Sequence, residues 1–271
     1  MSERGRLFDA LIVTPIRIFV VLIFVGTAYT FVFRRTWDKW HMATIQRNLS
    51  GHTVIAGYGT SGSQAVDELI KRGMKPSDIV VIDCDPAALE RARLIGCSVL
   101  AGDATRDNIL RDVRIDRAKA MMISGGRDDT SILITLTSRY LAPNLPIGVA
   151  VRNQDNELPA RQAGATTVIN PVSFAGLLLA SSSEGPHIVD YMADLVSNDG
   201  NVQLAERDVR QDECGKPLSA LTRGLGVRIY RDGRPHGFWE PEAGCLEPGD
   251  IIVEILPTAE REAVSAVSPE V

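Results

Sequence analysis

The chain has 271 residues, enough for one large domain or two modest ones. Its formal net charge of −5 argues against the basic surface of a nucleic-acid binder, so no nucleic-acid partner is expected. Cys84, Cys97, Cys214 and Cys245 show no zinc-type spacing and no accompanying histidine pair, which reads as free thiols in a reducing compartment and no metal site.

From Ala10 to Phe33 the chain is apolar apart from Thr14, Arg17 and a few small polar residues. Those 24 residues would reach roughly 36 Å as a helix, enough for a hydrocarbon core of ~30 Å. A charge at the helix centre costs about 2.5–3.5 kcal/mol, so Arg17 is expected near the N-terminal interface. Phe33-Arg34-Arg35-Thr36-Trp37 follows the run where a signal peptide would carry small residues, which favours a retained helix. Arg34, Arg35, Lys39 and Arg47 outnumber Arg4 and Arg6, which places the C-terminal bulk in the cytoplasm and the chain in the inner membrane. Residues 1–36 thus read as a single-pass segment with interfacial Trp37 and Trp40 at or just beyond its end, and 37–51 as a linker.

Residues 52 to about 180 alternate short apolar runs with helical stretches, within a domain expected over 52–198. Strands are expected at 53–57, 79–83, 97–101, 118–123, 147–151 and 166–169, and helices at 62–73, 86–95, 106–112, 128–142 and 154–163. This alternation implies a parallel sheet with right-handed crossovers, an α/β doubly wound Rossmann domain.

Gly57-Tyr58-Gly59-Thr60-Ser61-Gly62 leaves the first of these strands and opens the first helix. The first glycine permits the tight turn, the second lets backbone approach a pyrophosphate, and the third lets helix pack on strand. The helix N-terminus then offers free N–H groups to phosphate. Asp83 closes the second strand, 21 residues after Gly62, where a carboxylate accepts from ribose hydroxyls and repels a 2′-phosphate. Asp85 precedes Pro86 and fits the helix cap, leaving Asp83 free for the ligand. Cys84 stands between them. After the third strand, Asp103 is expected to approach the adenine edge and Thr105 to cap the next helix. Ser124-Gly125-Gly126 ends the fourth strand on the same sheet edge. Asp128-Asp129 starts a helix and favours its dipole. The expected contact set is Gly57, Tyr58, Gly59, Thr60, Ser61, Gly62, Asp83, Cys84, Asp103, Ala104 and Ser124, and the ligand NAD(H) or an adenine nucleotide (ATP, ADP or AMP).

In order, GYGTSG, VVIDCD, AGDAT, SGGRDDTSILITL and RQAGATTVINP resemble the RCK/KTN (TrkA-N plus TrkA-C) regulatory domain of bacterial potassium channels. The resemblance covers residues 52 to about 195. It implies a ligand-sensing Rossmann domain that pairs with copies of itself, as a homodimer within a tetramer or larger gating ring, and its nucleotide residues map onto Gly57, Gly59, Gly62, Asp83 and Asp103.

Ser197-Asn198-Asp199-Gly200-Asn201 is rich in turn formers and suggests a boundary near 198. Strand-like runs follow at Val202–Glu206, Val227–Arg231 and Ile251–Leu256, the last after the turn signal Pro248-Gly249-Asp250. The pattern resembles the RCK C-terminal subdomain over 199–257, implying a small β-α-β module that dimerises; 258–271 read as a disordered tail.

A potassium pore needs a filter of backbone carbonyls, and the chain shows none; Gly57-Tyr58-Gly59 belongs to the phosphate loop. Ser2 to Phe8 and the apolar run after it resemble the segment that follows a filter and the inner helix beyond. The expectation is therefore a channel subunit shortened at its N-terminus, acting as a gating subunit with no catalytic residues. Two alternatives stay open. One is a single-helix-anchored regulator of a separate potassium transporter. The other is a membrane-anchored NAD-dependent oxidoreductase, which the placement of His41, His52, His187 and His236 disfavours because none stands at an obvious catalytic strand end.

Overall fold

The computed structural model describes residues 16–26, 49–183, 185–197 and 199–258. Of the expected membrane span, residues 16–26 are an exposed helix, and no helix among the described residues is long and apolar enough to cross a membrane. The rest of that span, most of the linker and the C-terminal tail lie outside the described residues. Contacts divide the chain near Pro171 into two compact units.

The first unit is a six-stranded parallel sheet in the order β3-β2-β1-β4-β5-β6. The strands are β1 (Thr53–Ala56), β2 (Ile79–Asp83), β3 (Ser98–Ala101), β4 (Ala120–Ile123), β5 (Ile147–Ala150) and β6 (Thr167–Ile169). Helices α1 (Thr60–Lys71), α2 (Pro86–Ile95), α3 (Asp107–Asp112), α4 (Asp128–Leu141) and α5 (Glu157–Gln162) connect them. The central strands carry almost no polar side chain because both faces are covered. Val54, Ala56, Val80, Ile82, Met121 and Ile123 belong to one core cluster, whereas Ile55, Ile79 and Val81 belong to the other. Successive residues of one strand thus serve opposite faces, as the pleat requires. β1 pairs with β2 from Thr53↔Ile79 and with β4 from Thr53↔Ala120, so all three strands end level. Gly57, Asp83 and Ser124 therefore emerge side by side at the carboxyl edge.

Asp85 caps α2, its side chain accepting from Ala87 N–H, with Pro86 in the first turn and Gly96 closing the helix in the left-handed region. Thr105 does not cap α3. The N-cap position is Arg106, which makes no side-chain cap bond, while the Thr105 hydroxyl donates to Asp103 Oδ1 at 2.7 Å.

The second unit contains α6 (Pro171–Ser182), α7 (Pro186–Val196), β7 (Val202–Asp208), β8 (Leu225–Arg231), β9 (Arg234–Gly237) and β10 (Ile251–Pro257). The four strands form an antiparallel sheet in the order β7-β10-β8-β9. The β-α-β module implied by resemblance is corrected here: the strands are joined by turns and short 3-10 segments at Leu218–Ala220 and Pro241–Gly244, with no α-helix between them. Leu218, Ile229, Ala243, Leu246 and Ile252 form the core beneath the sheet.

Candidate functional site

Strand order reverses direction at β1, and the crevice outside the strand ends at such a point is where open α/β sheets take ligands. A cleft of about 400 Å³ lies there, lined by the glycine loop, the ends of β2 and β4, and the turn after β3.

The loop is held from both sides. Gly57 N–H donates to Ile82 O at 2.9 Å, and Ser124 N–H donates to Ala56 O at 2.8 Å. Gly57 has φ of +93°, and a Cβ there would lie 2.4 Å from Ser124 O. A Cβ on Gly62 would lie 2.0 Å from Gly57 O, so helix and strand approach only because that side chain is missing. Gly59 differs: a Cβ there would meet nothing within 4 Å. The fold itself does not need that glycine, and what its absent side chain leaves free is room in the cleft. Thr60 and Ser61 open α1, two residues earlier than expected, and the first-turn N–H groups lack intrahelical acceptors.

Tyr58 is 1% exposed, and its ring sits among Ile55, Val66 and Leu89 in the core. Its backbone serves the site: Tyr58 N–H donates to Asp83 Oδ2 at 2.6 Å, and Tyr58 O lies 3.5 Å from Arg91 Nη2. Asp83 Oδ1 accepts from Asp85 N–H at 2.8 Å, so the carboxylate is clamped in place with lone pairs remaining for a ribose. Asp103 accepts from both the hydroxyl and the N–H of Thr105, and these bonds, outweighing the effect of burial, hold its carboxyl below the usual range. The Cys84 thiol donates to Gly102 O at 3.3 Å. Burial, then the charges of Asp103 and Asp83, raise its pKa and keep it a thiol.

Ten of the eleven expected contact residues line this cleft, and Gly62 lies buried beneath it. Sequence reasoning missed Arg91, Thr130 and Arg152, which also line it. Arg91 stands three residues after the lining residue Ala88 on α2, a helical spacing that could have found it. Arg152 follows β5 at the carboxyl edge, and the end of a parallel strand is itself the signal. Its guanidinium donates to Gly126 O at 3.1 Å, while its N–H donates to Asp128, which also accepts from Asn153 and Asn156. Burial pushes the Asp128 pKa up, but those bonds together outweigh it and lower the pKa. Asp128 thus ties the loop after β5 to the start of α4, a role beyond the helix dipole.

A parallel sheet in this order, with a glycine loop and a β2 carboxylate around one crevice, defines a Rossmann domain of the nucleotide-binding type. Residues 53–171, which span the sheet of the first unit and its connecting helices, match the model of the TrkA-N domain. Potassium channel protein 1 of Methanocaldococcus jannaschii is 27% identical over 227 residues, covering 81% of this chain and 67% of that protein. The glutathione-regulated potassium-efflux system protein KefC of Escherichia coli is 30% identical over 191 residues, covering 68% of this chain and 30% of that protein. The chain thus spans about two thirds of the archaeal relative and under a third of the efflux protein. The human SLO3 gating ring superposes with a TM-score of 0.58 at 15% identity, covering 78% of this chain and 45% of that one, a likeness of fold.

Proposed function

We propose that the chain is a ligand-sensing gating subunit of a potassium channel, anchored in the inner membrane by its N-terminal apolar segment. The observation that carries the ligand-sensing role is the cleft at the β1–β4 switch point, where an open Gly59, the N-terminal turn of α1 and a clamped Asp83 face one space. NAD(H) or an adenine nucleotide fits that donor set. The N–H groups of Thr60 and Ser61 would take phosphate, Asp83 the ribose, and Ile82, Ala88, Ala104 and Ile134 supply apolar wall for a base. Arg91 and Arg152 add positive charge for a second or third phosphate. The Asp83 carboxylate repels a 2′-phosphate and disfavours NADP. The nucleotide is bound without turnover. It acts on the pore only through a difference in affinity between two states of the subunit.

A second reading, a regulator of a separate potassium transporter, draws on the likeness to the efflux protein. Co-purification separates the two: a homo-oligomer supports the channel subunit, a foreign membrane partner the transporter regulator.

The test of the site is a nucleotide panel on the full chain, read by thermal melting and calorimetry. A nucleotide at 100 times its Kd should stabilise by about 2.7 kcal/mol. Gly59→Val should abolish that shift while leaving the unliganded melting temperature near wild type, because its side chain enters open space. Asp83→Ala should also abolish it, with some loss of unliganded stability. Failure of every nucleotide to shift the wild-type melt would overturn the phosphate-loop role.

A further inference from the structure

The second unit carries a set of donors that the cleft does not use. His236 lies on β9, in register with Ile229 of β8. The chain then turns tightly, Glu240 N–H donating to Gly237 O at 2.9 Å and Ala243 N–H donating to Glu240 O at 3.1 Å. Glu242 sits in the 3-10 turn Pro241–Gly244 that follows. Glu240 Oε2 and Glu242 Oε2 come to 3.1 and 3.6 Å from the same imidazole nitrogen, His236 Nδ1. One donor atom from each of the three residues lies within 4.8 Å of the others. Ligands about 2.0–2.2 Å from a tetrahedral ion stand roughly 3.4 Å apart, so these separations suit a shared ion.

Charge balance points the same way. Two carboxylates converge, and among the described residues neither pairs with a lysine or arginine side chain. Arg231 is close, but its guanidinium bonds Asp250 and Glu247 and reaches only the backbone oxygen of Glu242, at 3.5 Å. Carboxylates this close disfavour each other's ionised form, and a cation shared between them and the imidazole would relieve that.

We propose that His236, Glu240 and Glu242 bind a divalent transition-metal ion of the zinc class. One imidazole with two carboxylates suits zinc, cobalt or manganese, whereas calcium and magnesium favour all-oxygen sets. Three protein ligands leave a coordination position open for water. The site shares no residue with the nucleotide cleft.

The experiment uses the full chain stripped with chelator, titrated with Zn²⁺ by calorimetry and with Co²⁺ by visible absorption. One ion per chain is expected, with a rise in melting temperature. His236→Gln and Glu240→Gln should each weaken binding by about tenfold or more, and Ca²⁺ or Mg²⁺ at equal concentration should give no shift. Glu242→Gln, at an exposed position, replaces the first variant if that one alters the metal-free melt. Absence of Zn²⁺ binding overturns the proposal. So does binding unchanged in variants with a wild-type metal-free melt, or a Co²⁺ spectrum with a thiolate charge-transfer band, which would assign the ion to cysteine.

Discussion

His52 shows how a single side chain sets a pH limit. It is buried just before β1, with Nε2 2.8 Å from Val113 O and Nδ1 without a partner. Burial lowers its pKa below 6.5, more than the Val113 bond and the charges of Asp116 and Asp78 raise it. In the unfolded chain the imidazole takes a proton near 6.5, so between the folded and unfolded values the unfolded state binds more protons. The neutral buried form therefore contributes stability that is complete above pH 6.5 and declines as pH falls toward the folded value. Thermal melts of the wild type should drop between pH 7 and 5, and His52→Gln should be less stable at pH 7 yet flatter over that interval. An equal slope in both proteins would assign the acid sensitivity to other groups.

At the scale of elements, ion pairs tie the strands of the second unit to its turns and to one another. Arg231 on β8 donates through Nε and Nη2 to Asp250, which is 1% exposed, at 2.8 and 2.7 Å. The Arg231 bonds, resisted by burial, keep the Asp250 carboxyl below its usual range. Arg207 on β7 likewise bonds Glu213 and the buried Glu254. Removing one partner strands the other's charge, so Arg231→Ala should cost about 3–5 kcal/mol by denaturant unfolding. A loss under 1 kcal/mol would mean that water reaches Asp250. Arg231–Asp250 and Arg207–Glu254 join residues 19 and 47 positions apart, and no local pattern announces them. The parallel strands were legible because covered strands read as unbroken apolar runs, and Asp85-Pro86 marked the start of α2 to the residue. Strand β9 was overlooked although Asp232-Gly233, with φ of 51° and 74°, is the two-residue turn that joins β8 to it. Its sequence Arg-Pro-His-Gly has no apolar alternation, since it is a short edge strand. The glycine loop and Asp83 followed from spacing along one β-α-β unit, and Asp103 from the turn after β3. Arg91 on α2 and Arg152 after β5 belong to different strand-helix repeats, and the sheet brings both to the cleft.

For the molecule as a whole, the informative surface is α6. Its twelve residues, PVSFAGLLLASS, carry no charge, and none is buried. Phe174, Leu177 and Leu179 are 47%, 67% and 73% exposed, and on α7 Ile188 and Tyr191 are half exposed. A helix apolar all round is stable when something covers it, and exposed patches of this kind mark interaction surfaces. The paired assembly implied by the RCK resemblance offers a second copy as the cover. Sedimentation of the full chain should then show a dimer or larger species at micromolar concentration. Leu177→Glu with Leu179→Glu should raise the dissociation constant at least 30-fold, about 2 kcal/mol, because both charges would be forced into the apolar contact. Both side chains are exposed within the chain, so the variant should keep its melting profile when monomeric. A wild type that stays monomeric, or a variant that associates as tightly, would remove self-association from the gating proposal. The nucleotide cleft, lined by residues of the first unit alone, would keep its own test.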